Sequence, residues 1–185
     1  MDAETNRLTL RPLAADDAPF ILALLNEPSF VQFIGDKGVR TIDDAREYIR
    51  SGARDGYSRR ALYLAARKDD GAPVGMCSLV KRAGLDEVDL GFAMLAQYRG
   101  CGYATEAAAW TMACAREIHG VARLAAITTP DNAASARVLE KLGFEPLGII
   151  APRMSCARGE DVPARLMRLR LRSDVVDEED EALAA

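Results

Sequence analysis

Gln97-Tyr98-Arg99-Gly100-Cys101-Gly102-Tyr103-Ala104-Thr105-Glu106-Ala107 is the stretch that decides the fold. Val88 to Leu95 before it reads as a strand, and the alanine-rich run Ala107 to Ile118 after it reads as a helix. The glycines therefore sit where a strand turns into a helix. Gly100 and Gly102 carry no Cβ, so a ligand can approach the backbone closely. The first amides of a helix have no intrahelical partner. With the positive end of the helix dipole, they make a site suited to a phosphate.

Three phosphate-binding patterns compete for this stretch. A Walker loop needs Gly-Lys-Ser/Thr, and no lysine stands between Gln97 and Ile118. A dinucleotide fingerprint needs a third glycine in a first βα unit and a later acid. Here the third position is Thr105 and several elements precede Gly100. The remaining pattern, Gln/Arg-x-x-Gly-x-Gly/Ala, is met by Gln97, Gly100 and Gly102. A second motif follows: Asn132 to Phe144 reads N-x-x-S-x-x-x-L-x-K-x-G-F. The start of the chain adds Arg7-Leu8-Thr9-Leu10-Arg11-Pro12 and then Asp17-Ala18. On these features the chain resembles the GNAT superfamily of N-acetyltransferases, and within it the RimJ/RimL-like branch, over most of residues 5 to 172.

The resemblance implies an α/β fold with a mixed, mostly antiparallel sheet. Its central strands splay and its helices lie on both faces. It also implies acetyl-CoA as cosubstrate, with no metal, and direct attack of a neutral amine on the thioester. Amides from Arg99 through Gly100, Cys101, Gly102, Tyr103 and Ala104 to Thr105 would hold the pyrophosphate, behind Gln97. Backbone groups near Met94, Leu95 and Ala96 would pair with the pantetheine arm, where the strands ending near Leu95 and Thr128 part. Asn132 would hydrogen-bond that arm, or else serve only as a helix cap. Many relatives place a tyrosine acid seven residues after this asparagine; here Leu139 stands there. Ser135 is then the candidate donor to the leaving thiolate, and its alternative role is to satisfy the start of the helix.

The base candidates come from strand geometry. Glu87 and Asp89 are two apart and share a face. Gly91 and Ala93 continue that face and are small, which leaves room for a substrate or a water chain. Either carboxylate could take the amine proton through water, with Asp89 nearer the acetyl site; otherwise both are ordinary solvent-facing strand residues. An α-amino group has a pKa of about 7.7–8.0 against about 10.4 for lysine. A protein N-terminus is thus the easier nucleophile. A small-molecule amine remains the alternative acceptor. A non-catalytic acyl-CoA binding or sensing domain would need neither Ser135 nor Asp89.

Bulk composition narrows the classes. At 185 residues, 49% hydrophobic and 28% charged, the chain suits one globular domain. Its boundaries are expected at 1–172, with 173–185 as an acidic, disordered tail. Asp174, Asp177, Glu178, Glu179, Asp180 and Glu181 carry six negative charges, so the remainder of a chain at net −4 stands at +2. That body has no basic face for nucleic acid. No apolar run suits a membrane span and no leader is evident. Cys77, Cys101, Cys114 and Cys156 form no C-x-x-C pair, which points to a reducing cytoplasm. The sole histidine, His119, falls at a helix end and is expected to be exposed; it gives no triad and no metal site. Oligomeric state is left between monomer and homodimer.

Along the chain, Thr5 to Pro12 alternates like a half-buried strand. Asp16 or Asp17 caps a helix running through Asn26. Pro28, Gly35 and Gly38 read as loop, and Thr41 caps a helix to about Gly52. The resemblance makes these helices one wall of the acceptor groove. Ala61–Ala66, Val74–Lys81 and Glu87–Leu95 make an antiparallel meander. Arg123–Thr128 is a strand, and the helix opened by Asp131 or Asn132 closes at Gly143. Phe144–Ile150 and Ala164–Leu171 form a closing hairpin around a long loop, Ala151 to Pro163, whose arginines with Arg165 could meet an acidic acceptor.

Overall fold

The computed structural model describes residues 3–51, 61–82, 84–150 and 163–171. The acidic tail and most of the loop from Ala151 to Pro163 lie outside the described residues. Strands β1 (Ala3–Glu4), β2 (Leu8–Pro12), β3 (Ala61–Arg67), β4 (Pro73–Lys81), β5 (Val88–Met94), β6 (Arg123–Thr128), β7 (Glu145–Ile150) and β8 (Ala164–Arg170) form one sheet. Its order is β1-β2-β3-β4-β5-β6-β8-β7. All neighbours pair antiparallel except β5 and β6, which are parallel. Among the described residues five α-helices complete the fold: α1 (Ala18–Leu25), α2 (Pro28–Phe33), α3 (Ile42–Ser51), α4 (Tyr103–Glu117) and α5 (Ala133–Lys141). The mixed sheet with helices on both faces is the architecture expected from the sequence.

Period-2 alternation sorts the sheet into two faces. Leu64, Met76 and Ala93 pack against α1 and α3, around Ile21, Leu24 and Ile49. Leu79, Val88 and Leu90 face the other way, against α4 and α5, with Ala108, Leu124 and Leu139. Burying a leucine contributes about 1.5–3 kcal/mol. These two layers therefore hold the sheet between helices, and they leave the gap between β5 and β6 as the passage across it.

Three local details depart from the sequence reading. The segment at Pro28 forms α2 rather than loop, because proline at the first helical position costs no hydrogen bond there. Helix α4 starts at Tyr103, straight after Gly102, not at Ala107. Its first turn is therefore part of the glycine stretch itself. The short β1 pairs with β2 ahead of the expected strand. At α3, Thr41 Oγ1 accepts from the Asp44 amide at 3.1 Å and Asp44 Oδ2 accepts from the Thr41 amide at 2.9 Å, a reciprocal cap. No helix among the described residues is long and apolar enough to cross a membrane.

Candidate active site

Parallel pairing between β5 and β6 is confined to Val88 with Leu124 and Asp89 with Ala125. Past that point β5 runs on to Met94 and β6 to Thr128 without meeting. The wedge between them opens into a continuous cavity of about 520 Å³. It reaches from the glycine stretch, past the start of α5, to Asp89 and the aromatic side chains of α2.

At the glycine end, Gly102 is the residue before α4 and has φ +81°. Gly100 has φ +75°, and a Cβ built there would meet nothing within 4 Å. Both need the left-handed conformation that other residues resist. Tyr98, Arg99, Gly100, Gly102, Tyr103, Ala104 and Thr105 line the cavity; Gln97 and Cys101 are exposed and do not. A brace stands behind this loop. Arg7 donates to the Cys101 carbonyl at 2.9 Å and to Glu106 Oε2 at 2.8 Å, and Thr5 Oγ1 donates to Glu106 Oε1 at 2.7 Å. Burial works to raise the Glu106 pKa, but the bonds from Thr5 and Arg7 outweigh it and hold the group below its ordinary value. The N-terminal Arg-Leu-Thr-Leu segment thus fixes the first turn of α4.

The edge of β5 is already satisfied by side chains. The Leu95 amide donates to the Val74 carbonyl, so the Met94 carbonyl, one residue back, faces the gap. It accepts from Arg99 Nε and Nη2, each at 3.1 Å. Arg99 Nη2 also donates to Glu27 Oε2 at 2.9 Å, and Glu27 Oε1 accepts from the Ala96 amide at 3.1 Å. A ligand arm pairing with Met94 and Ala96 must displace Arg99 and Glu27. Met94 lines the cavity, whereas Leu95 and Ala96 do not.

Asn132 caps α5, its side-chain oxygen accepting from the Ser135 amide at 3.1 Å. That oxygen holds the helix start, and Nδ2 is a donor that Asn132 can offer a ligand. The cap satisfies Ser135's amide, and the Ser135 hydroxyl, on the cavity wall, makes no hydrogen bond among the described residues. Leu139, where relatives carry tyrosine, is 1% exposed and packed in the core. Thr128, expected only as a strand end, and Thr129 after it bring hydroxyls that the sequence did not single out. Both hydroxyls are buried without a partner among the described residues, and Thr128 lines the cavity.

The two carboxylates part company. Asp89 is 2% exposed and sits on the cavity floor, with Arg82 Nε donating to its Oδ2 at 2.6 Å. Burial pushes its pKa up, and the Arg82 guanidinium and a weaker pull from the Ile127 amide do not fully offset that. Apart from that pull, Oδ1 is fully buried and makes no hydrogen bond among the described residues. Glu87 lies just before β5, outside this cavity, with Oε1 2.7 Å from Arg168 Nε. That contact is an ion pair by distance, bent too far to be a hydrogen bond. Neither acid is an open, solvent-facing strand residue. Gly91 and Ala93 both line the cavity, and a Cβ on Gly91 would come within 2.6 Å of Ser78 Oγ, so a hydroxyl stands beside the Asp89 strand. Arg82 escaped the sequence reading because its partner lies seven residues away across a turn.

Two residues lie elsewhere. His119, expected to be exposed, is half-buried beyond the C-terminal end of α4, its Nε2 3.4 Å from the Tyr63 hydroxyl. Arg165 Nη2 reaches the Pro130 carbonyl at 3.4 Å and does not line the cavity. Among the described residues no group of His, Cys, Asp or Glu is placed to hold a metal.

With this geometry in place, comparison with known proteins defines the class. Residues 7–145 match the acetyltransferase (GNAT) domain, and the chain belongs to that family. It is 24% identical over 155 residues to the uncharacterized N-acetyltransferase YoaA of Bacillus subtilis, covering 82% of this chain and 86% of the relative. Among solved structures it is similar to RimL, a ribosomal alpha-N-protein acetyltransferase in complex with coenzyme A, at TM-score 0.80 and 16% identity over 94% of this chain and 100% of the other. A GNAT-family acetyltransferase from Bacillus anthracis superposes at TM-score 0.75 and 21% identity, over 92% and 98% of the two chains. The family draws its acetyl group from acetyl-CoA, which makes this chain an acetyl-CoA-dependent acetyltransferase in general terms.

Proposed function

We propose that the protein is a RimJ/RimL-like N-acetyltransferase that moves the acetyl group of acetyl-CoA to a primary amine, preferably a protein or peptide N-terminus. The observation that carries this reading is the single cavity joining the glycine stretch, Ser135 and Asp89 through the gap between β5 and β6. Similarity to RimL, whose acceptor is a protein α-amine, favours the N-terminal acceptor.

The residues supply each chemical need. Amides from Arg99 to Thr105 hold the phosphates of acetyl-CoA. The acceptor arrives as an ammonium and gives one proton, through water, to Asp89, whose raised pKa suits it to receive one. The neutral nitrogen attacks the thioester carbonyl carbon; the C–N bond forms as the C–S bond breaks. Ser135 donates a hydrogen bond to the departing sulfur. The thiolate takes the second proton lost by the nitrogen, leaving an amide and a thiol, and Asp89 returns its proton to water. A screen of peptides and small amines with detection of released CoA tests this. Acetylation of peptide N-termini is expected, and activity confined to small amines would overturn the N-terminal preference.

A further inference from the structure

The sheet turns a short run of residues toward the acceptor end of the cavity. Alternation places Asp89, Gly91 and Ala93 of β5 on this face, and antiparallel pairing sets Val80 beside Asp89, Ser78 beside Gly91 and Met76 beside Ala93. Leu62 of β3 adjoins Ser78 from the other side. Apart from Asp89, Ser78 is the polar side chain of this run. Asp89 is poorly placed to meet an acceptor directly: Oδ1 is fully buried, and Oδ2 takes the hydrogen bond from Arg82. Ser78 differs on both counts. It is half-buried on the cavity wall, and its hydroxyl, not sealed off as Asp89 Oδ1 is, makes no hydrogen bond among the described residues.

Gly91 decides where that hydroxyl points. A Cβ on Gly91 would stand 2.6 Å from Ser78 Oγ and 4.0 Å from Ser78 Cβ, so the hydroxyl leans across toward β5, into the space that a side chain at 91 would fill. The pairing of β5 with β6 stops at Asp89 and Ala125, so Gly91 is the next residue of this face beyond the point where the gap opens. At about 3.3 Å per residue it lies about 7 Å along the strand from Asp89, a separation that a bridging water can span. A polar group held away from bulk water without a partner carries a cost that a ligand's polar atom removes. From this we infer that Ser78 binds the acceptor amine: its hydroxyl oxygen accepts a hydrogen bond from the amine nitrogen at the mouth of the gap and keeps its own proton, while the proton bound for Asp89 travels through water. Gly91 is the positioning residue that leaves the hydroxyl room to reach over β5. The inference rests on the acetyltransferase reading and deepens it, since it names the group that receives the acceptor.

Acetyl-CoA binding is measured first by calorimetry; its absence would fell the acetyltransferase reading itself. Steady-state acetylation of trialanine and of phenethylamine is then followed by released CoA. Ser78→Ala deletes a hydroxyl that bonds to nothing else in the fold, so the melting temperature and the acetyl-CoA affinity should be kept. KM for the amine should rise about tenfold while kcat changes by less than about threefold, because the lost hydrogen bond is made to the bound amine. Ser78→Thr keeps the hydroxyl and should restore most of the loss. Gly91→Ala crowds the hydroxyl and should raise KM by a similar factor. In the Ser78→Ala background the same change should add less than about twofold, because no Oγ is left for the new Cβ to displace. An unchanged KM in Ser78→Ala, equal losses in Ser78→Ala and Ser78→Thr, additive effects of the two alanines, or bound acetyl-CoA with no turnover of either amine overturns the inference.

Discussion

The two ends of the cavity work by different means. At the glycine end the ligand would meet backbone: Gly100 and Gly102 sit at positive φ, and the residues of the first turn of α4 line the cavity. At the acceptor end it would meet side chains: Asp89 with Arg82, Ser78 over Gly91, and the aromatic rings of α2. A backbone site is indifferent to most side chains and intolerant of a changed conformation. A side-chain site is the reverse. Substitutions should therefore fall into two classes that do not mix.

The largest effect is expected from Gly102→Val. A non-glycine residue in the left-handed region costs about 1–2 kcal/mol, more for a β-branched one, and the new Cβ would sit 3.3 Å from Arg7 Nη2. The loop must then change its path and its amides no longer converge. Calorimetry should detect no acetyl-CoA binding at concentrations that saturate the wild type. Retained affinity would mean that the phosphates are held by side chains, and the contrast between the ends would collapse.

Asp89→Asn should do the opposite: acetyl-CoA affinity is kept while turnover falls about 10²–10⁴-fold, the usual worth of a positioned base. The pH profile gives an independent sign. Because burial raises the folded pKa of Asp89, the acid limb of turnover should lie above the ordinary carboxylate range. Arg82→Met removes the group that favours the charged form, so that limb should move to still higher pH. Stability follows the same linkage. A carboxyl with a raised folded pKa contributes stability below its unfolded value of 3.8, and that contribution is lost as pH rises through the folded value. Glu106 has the reverse sign: held low by Thr5 and Arg7, it stabilises above its unfolded value and the contribution disappears on acidification. An acid limb unmoved by Arg82→Met would remove Asp89 from the role of base.

Ser135→Ala should cost less, about 10–100-fold in turnover, the worth of one hydrogen bond of about 1.5–3 kcal/mol to a charged partner. Helix α5 should be unaffected, since the cap bond uses the Ser135 amide and not its hydroxyl. Unchanged turnover would leave the thiolate to another donor, and the buried, unpartnered Thr128 hydroxyl on the same cavity is the next candidate.

The difference between the ends also explains what the sequence disclosed. Strand alternation, the Gln97–Gly100–Gly102 spacing and the Asn132 cap are local properties, so β2 to β8, the glycine stretch and α5 could be read directly. The short α2 was missed because Pro28, a breaker inside a helix, is acceptable at its start. The acceptor end depends on register across strands. Nothing in the spacing from Arg82 to Asp89 says that a turn folds them together, and nothing around Gly91 says that Ser78 fills its vacant side. Glu87 and Asp89 looked equivalent by alternation, yet only Asp89 reaches the cavity.

The smallest expected effect is the sharpest check on a backbone site. Cys101 lies between the two glycines, in the middle of the stretch that would hold the phosphates, and by position alone it should matter. Its side chain is exposed and does not line the cavity; the Sγ makes only a 3.6 Å contact to the Arg99 carbonyl. What the fold uses at this residue is the carbonyl that accepts from Arg7, and alanine keeps it. Cys101→Ala preserves the amide and adds no Cβ where none was. Acetyl-CoA affinity and turnover should both stay within about twofold, as for surface substitutions worth no more than about 0.5 kcal/mol. Tenfold weaker acetyl-CoA binding in Cys101→Ala would show that the thiol contacts the ligand. The glycine end would then be, like the acceptor end, a site built from side chains.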